Sequence, residues 1–332
     1  RELHDLPADA LPIDDLLTQG EPVVLRGIGS DWVLVHEGAR SMQAAMDCLR
    51  RFDNGQPVTY SWGAPDIRGR PFYNDDFTQL NFEVRRGVLS QVLEEIASHA
   101  GDASPPTYYV ASLLIDTRLP GFRDGNDLGL SALGIDAPPS IWIGNRVTAS
   151  CHYDAMNNIA VCAVGRRRFT LFPPEQIHNL YPGPLDPTPG GQQVSVVDFD
   201  APDLERHPRF RDALEAGQSA VLEPGDAILI PSLWWHHVQA LEAFNVLVNT
   251  WWSSVPAYVP TPMHALYHAM WALRDRPERE KQAWRDVFEY YVFGPSTLAG
   301  EHLPPQAQGA LSPIDETLAR QLRAMLLAKL NR

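Results

Sequence analysis

The chain has 332 residues, enough to bury a large core as one decorated domain or as two. Hydrophobic residues make up 44% and charged residues 20%, which excludes a disordered chain. With 27 basic against 41 acidic residues the net charge is −14, which argues against a general nucleic-acid binder while leaving room for a small basic pocket.

The start, RELHDLPADALPIDD, lacks the basic and apolar regions of a secretory signal. It also lacks an initiator Met, so processing or trimming is compatible with it. EPVVLRG (21–27) is a short apolar run ending at Gly, a predicted strand. SMQAAMDCLRRFDNG (41–55) reads as a helix with Ser41 as cap and Gly55 as stop. QPVTYSW is a second strand. DFTQLNFEVRRGVLSQVLEEIASHA (76–100) has helical apolar spacing with a break near Gly87, and PPTYYVASLLI (105–115) begins as a strand.

From about 139 to 253 the character changes. PSIWIGN, TASCHYD, NIAVCAVG, RRFTLFP, QSAVLEPGDAILIP and AFNVLVNTWW are short β-rich runs separated by turn formers, the pattern of an antiparallel sandwich or barrel. PPEQIHNLYPGPLDPTPGGQQ (173–193) is too rich in turn formers for the core and reads as an ordered surface loop. Helical spacing returns at 261–294, on both sides of Arg276-Pro277. SPIDETLARQLRAMLLAKLNR (312–332) is an amphipathic helix with Ser312 or Asp315 near its start. These terminal helices need an apolar partner: a homodimer seam is the expectation, packing on the chain's own core the alternative. No stretch is long and apolar enough to span a membrane. Cys48, Cys151 and Cys162 make neither a disulfide framework nor a four-thiolate site, so a reducing cytoplasm is the expected compartment.

The chemistry centres on TASCHYD. On a strand His152 and Asp154 stand at i and i+2 and face the same side. An imidazole and a carboxylate on the inner wall of a barrel are costly to bury without a partner, and a divalent metal is one. A facial triad of two His and one carboxylate needs one more His and leaves positions open for substrate and O2. The candidate lies in GDAILIPSLWWHHV (225–238), as His236 or His237; neighbours on a strand face opposite ways, and periodicity does not choose between them. His178 and His207 fall in loop-like segments. His264 and His268 are i,i+4 on a helix but lack the intervening Glu of a zinc-protease motif.

HYD (152–154), GRRRFTLFPPEQIHNLYPGPL (165–185), QQVSVVDFDAPDLERHPRF (192–210) and EPGDAILIPSLWWHHV (223–238) together carry a resemblance. The chain resembles the JmjC-like, cupin-fold oxygenases, and among them asparaginyl hydroxylases of the factor-inhibiting-HIF type, over about residues 21–253. The resemblance implies a mainly β protein with flanking helices. Residues 1–258 would form a catalytic domain with a mixed N-terminal decoration around a double-stranded β-helix of about 105–253, and 259–332 a helical dimerisation region. It implies iron(II) on His152, Asp154 and His236, with His237 turned elsewhere, and 2-oxoglutarate and O2 as cosubstrates. Arg167 stands where these hydroxylases have Lys to hold the distal carboxylate; Asn158 and Asn249 match two pocket asparagines, and Tyr109 a tyrosine donor, with Tyr108 as the alternative. The family's Thr three residues before the first metal His is Ala149 here; Thr148 sits one step earlier, so either a bulge restores its hydroxyl or that hydrogen bond is missing. Trp251 and Trp235 are candidate cavity walls or core residues.

The implied reaction is hydroxylation of a protein or peptide side chain or of a small molecule, releasing succinate and CO2, with nucleic acid and membrane not expected as partners. The competing expectations are a metal-binding cupin whose chemistry does not use 2-oxoglutarate, and a non-catalytic cupin-fold scaffold.

Overall fold

In NNIAVCAV (157–164) every residue is buried, so both faces of this strand are covered. Asn158, Ala160 and Cys162 alternate with Ile159, Val161 and Ala163, and each set enters a different core. The computed structural model describes every residue except Asp5 and Arg332, so the last residue of the helix expected at 312–332 lies outside the described residues. The described chain divides into two units, Arg1–Trp252 and Ser253–Arg332.

Among the described residues the first unit has thirteen strands: β1 (Glu2–His4), β2 (Val23–Arg26), β3 (Val58–Gly63), β4 (Glu83–Gly87), β5 (Thr107–Leu114), β6 (Ser140–Gly144), β7 (Thr148–Tyr153), β8 (Asn157–Val164), β9 (Arg167–Phe172), β10 (Gln218–Leu222), β11 (Ala227–Ile230), β12 (Trp235–Ala240) and β13 (Asn245–Trp252). One sheet runs β1-β2-β11-β8-β13-β6-β5-β3-β4 and the other β10-β9-β12-β7. Strands β6 to β13 are thus shared between two facing antiparallel sheets, four in each. That is a jelly-roll core, the architecture expected from the sequence. The longer sheet is extended by the N-terminal strands on both sides.

Three apolar clusters follow from the alternation. The interior between the sheets holds Ala160, Cys162, Phe169, Leu171, Ile228, Ile230, Val238 and Leu247. The far face of the long sheet packs against helices Ile13–Gln19, Val33–Arg40, Met42–Phe52 and Leu89–Ser98 through Leu16, Leu34, Met46, Leu49 and Leu93. The far face of the short sheet is covered by the 173–210 excursion and helix Phe210–Ala216, through Leu180, Val197 and Phe210 against Phe172 and Trp235. Cys151 lies in this outer cluster, where burial pushes its thiol well up and makes it a poor nucleophile.

Only the second part of the helix expected across 76–100 is helical; turns and a short strand take the first. The side chains of Asn74 and Asp76 accept from the backbone N–H groups of Thr78 and Gln79, and Phe77 has φ +61°, so local turn bonds displace a helical start. EVRRG pairs with β3 as β4, and only Leu89–Ser98 is helical. Ser41 caps the helix Met42–Phe52 as read, by accepting from Ala44 N–H, but the helix ends before Gly55. Helices Ile13–Gln19, Val33–Arg40 and Phe210–Ala216 were not anticipated. They are two-turn pieces, too short for a periodic signal.

The second unit contains helices Pro262–Leu273, Glu278–Phe288, which continues into a π-helical turn at Glu289–Phe293, and Glu316–Leu330. Asp315, not Ser312, caps the last by accepting from Leu318 N–H. No helix among the described residues is long and apolar enough to cross a membrane.

Candidate metal centre

The position of His152 depends on a bulge. Across β7 and β12, His236 pairs with His152 and Val238 with Ala149, so Ser150 and Cys151 together oppose His237. The extra residue resets the alternation, so that Ala149 and His152 both face the interior while Cys151 faces the outer cluster. On β12, His236 and Val238 face in. His237 faces out and stacks on Phe199, with ring centroids 4.4 Å apart and planes at 23°. The choice between the two histidines thus falls on His236. The bulge brings Ala149, not Thr148, to the inner wall: Thr148 pairs with Gln239 and alternates outward, and the expected pocket hydroxyl is missing.

One ligand atom each from His152, Asp154 and His236 lies within 4.8 Å of the others, the one such group of three among the described residues. His264 and His268, on helix Pro262–Leu273, gather no further ligand. His152 Nδ1 lies 2.8 Å from the carbonyl of Ser150, and His236 Nδ1 lies 3.0 Å from that of Trp234. A carbonyl only accepts, so Nδ1 carries the proton in both rings and both Nε2 lone pairs are free for a cation. The two rings are 4.3 Å apart by centroid. Burial, reinforced by the charge of His152 and opposed by Asp154, brings the His236 imidazole down to about 4, so it is neutral at ordinary pH. The donor set of two imidazoles, each oriented by a backbone carbonyl, and one carboxylate fits a divalent transition metal.

Asp154 is held from several sides. Trp251 Nε1 donates to its Oδ2 at 2.9 Å, Asn158 Nδ2 to the same oxygen at 3.5 Å, and Gln192 Nε2 to Oδ1 at 3.3 Å. Its own carbonyl accepts from Leu233 N–H at 2.8 Å, which fixes the β11–β12 loop against the β7–β8 turn. Leu233 has φ +68°, a strained setting for a branched side chain beside the centre. Behind these groups Asn249 Nδ2 donates to Asn158 Oδ1 at 3.0 Å, and Trp142 Nε1 to Asn249 Oδ1 at 2.7 Å.

Arg167, at the start of β9, is 4% exposed. Its Nε has no hydrogen-bond partner, and no acidic side chain pairs with it among the described residues. Beside it is Tyr109: burial raises that phenol, while a hydrogen bond to Arg167 and its positive charge pull the other way. Tyr109 packs on Trp142 at 5.7 Å and Trp142 on Trp251 at 5.6 Å, a continuous aromatic wall running from the cation to the metal carboxylate. Tyr108 points the opposite way, toward Glu95 at 3.2 Å and the ring of Tyr60. A buried guanidinium with no acidic partner among the described residues, beside a phenol, is a ready receptor for an anion, above all a carboxylate.

Residues 8–258 match the cupin-like domain family. The chain belongs to that family. This cupin-like chain is 29% identical over 209 residues to the tRNA wybutosine-synthesizing protein 5 of Danio rerio, covering 55% of the chain and 57% of that protein. It is 34% identical over 255 residues to the HSPB1-associated protein 1 of Bos taurus, covering 70% and 48%. It is 28% identical over 204 residues to the lysine-specific demethylase JMJ31 of Arabidopsis thaliana, covering 61% and 32%. The chain therefore spans between about a third and a little over half of these relatives. They bear out the JmjC-like cupin resemblance drawn from the motifs.

All seven expected site residues of this cupin-like chain (His152, Asp154, His236, Tyr109, Asn158, Arg167 and Asn249) line or border the interior between the sheets. Of the two tryptophans flagged as walls, Trp251 touches Asp154, whereas Trp235 faces the outer cluster against Tyr153. Trp142 and Gln192 were missed. Trp142 was legible in principle, since in SIWIG it alternates with two isoleucines that face the helical core. Gln192 sits on a loop with no period, and only the folded chain brings it to Asp154.

Proposed function

We propose that the chain is an iron(II)- and 2-oxoglutarate-dependent oxygenase. It would couple hydroxylation of a protein or peptide side chain, or of a small molecule, to conversion of 2-oxoglutarate and O2 into succinate and CO2. The observation that carries this reading is the pairing of two receptors in one interior. His152, Asp154 and His236 converge at one end, and at the other a buried Arg167 has no acidic partner.

Bound iron(II) would supply the activation of O2, chemistry no side chain here provides. The protein's own share is binding and orientation. His152 and His236 present Nε2, Asp154 presents a carboxylate, and Arg167 with the Tyr109 hydroxyl receives the distal carboxylate of the cosubstrate. Asn158 and Asn249 fill the wall between, and Phe169, Val238 and Leu247 keep the interior dry, which strengthens each polar contact.

We propose further that the C-terminal helices form a homodimer seam, that the working compartment is the reducing cytoplasm, in keeping with three free cysteines, and that nucleic acid and membrane are not partners. The net charge of −14 supports the exclusion of nucleic acid. A relative named for tRNA modification makes RNA the partner that a substrate screen has to exclude.

The test is an anaerobic titration with iron(II) and then 2-oxoglutarate, following the visible charge-transfer band of the chelate. The expected outcome is a saturable band that the His152→Ala protein lacks. Metal binding without the band would move the chain to a cupin chemistry that does not use 2-oxoglutarate. Absence of both would leave a scaffold.

A further inference from the structure

Trp142 has a place that the family motifs do not assign. It lies on β6, paired between β13 and β5, and the longer sheet carries its ring into the interior between Tyr109 and Trp251. Its Nε1 begins a run of hydrogen bonds to Asn249 Oδ1 at 2.7 Å, from Asn249 Nδ2 to Asn158 Oδ1 at 3.0 Å, and from Asn158 Nδ2 to Asp154 Oδ2 at 3.5 Å. Asn249 is 2% exposed and Asn158 6%, so solvent scarcely competes for either amide.

The polarity of that run is fixed at both ends. An indole N–H only donates and an ionised carboxylate only accepts, whereas each amide between them works in either orientation. With the indole at one end, Asn249 must turn its oxygen toward Trp142 and its nitrogen toward Asn158. Asn158 must then present oxygen to Asn249 and nitrogen to Asp154. Remove the N–H and only the carboxylate end still orders the two amides, while Asn249 Oδ1 loses the donor that holds it from the other side. A flipped Asn158 would set its oxygen against the carboxylate oxygen that faces the two imidazoles.

We propose that Trp142 is a positioning residue. Its indole N–H sets the orientation of Asn249 and Asn158, and through them the Asp154 carboxylate, while its ring braces Tyr109 beside Arg167. The inference rests on the metal-site reading given above and adds to it a link between the cosubstrate end and the metal end.

The test is a double-mutant cycle read by metal affinity rather than turnover. Full-length protein is titrated with Co(II) under nitrogen, with affinity and coordination read from the visible absorption, for the unchanged chain, Trp142→Phe, Asn158→Ala and the pair. Melting temperatures are taken alongside. Trp142→Phe keeps an aromatic ring and removes the donor. It is expected to weaken Co(II) roughly 3- to 10-fold and to shift the absorption, yet to add nothing when Asn158 is already Ala. If Trp142→Phe folds poorly, Asn249→Leu takes its place in the same cycle with the same expectation. An equal loss in both backgrounds, or no loss in either, would overturn the relay while leaving the metal site standing. No Co(II) binding by the unchanged chain would overturn the metal site itself, and the relay with it.

Discussion

Arg167 and His152 illustrate how differently single residues announce themselves. The His152–Asp154 spacing is visible on a strand before any fold is known, because two positions return a side chain to the same face. Nothing local chose between His236 and His237; that took the pairing of β12 with β7, together with the family motif. Arg167 looks in sequence like one of three surface arginines, and only its 4% exposure and missing acidic partner give it a task. Charge-assisted hydrogen bonds contribute about 1.5–3 kcal/mol. Arg167→Ala should therefore raise the 2-oxoglutarate concentration needed for half-saturation roughly 10- to 100-fold, with metal affinity nearly unchanged. Arg167→Lys should recover part of it. An unchanged titration would place the anchor elsewhere. Trp251→Phe should instead weaken the metal, measured with Co(II), since it deletes the 2.9 Å bond to Asp154 and leaves Arg167 untouched.

At the scale of an element, β12 carries two histidines with opposite fates. His237 is 4% exposed, both its ring nitrogens are buried without a protein partner, and its imidazole is brought down to about 3, by burial first and by the charge of Arg70 next. In the unfolded chain a histidine titrates near 6.5. The unfolded state therefore takes up a proton first as pH falls, so stability present above about 6.5 is lost progressively toward about 3. His236, brought down to about 4, adds to the same slope. His237→Phe should keep the stack on Phe199, leave the melting temperature near neutrality within a few degrees, and make the loss between pH 6.5 and pH 4 shallower. Thermal melts across that range check it; an unchanged slope would show that other groups carry the acid sensitivity. The strands of the jelly roll were legible because alternation survives in short runs such as SIWIG and NIAVCAV. Residues 76–82 were not, because side-chain turns at Asn74 and Asp76 outcompete a helical spacing that ignores them. The bulge at Ser150 and Cys151 was equally hidden, since one extra residue changes parity without changing composition.

For the whole molecule, the C-terminal unit leaves Trp271 77% and Phe293 73% exposed. Large aromatics left this open suit a partner surface rather than solvent. Sedimentation velocity should find the 37.0 kDa chain at twice its mass, and Trp271→Glu should shift it toward the monomer. A monomer at all concentrations would remove the proposed seam. The metal centre makes a further demand on the entire first unit. Its ligands sit on β7, just past the end of β7 and on β12, neighbours in the sheet but far apart along the chain, with His152 directly across from His236. The triad closes only when β7 and β12 pair in this register. A slip of β12 by one residue would bring His237 inward and turn His236 out. A metal that binds only the correct register favours it by mass action, in proportion to its affinity. The ion would thus proofread the sheet, with loading by metal marking the chains whose strands are correctly aligned.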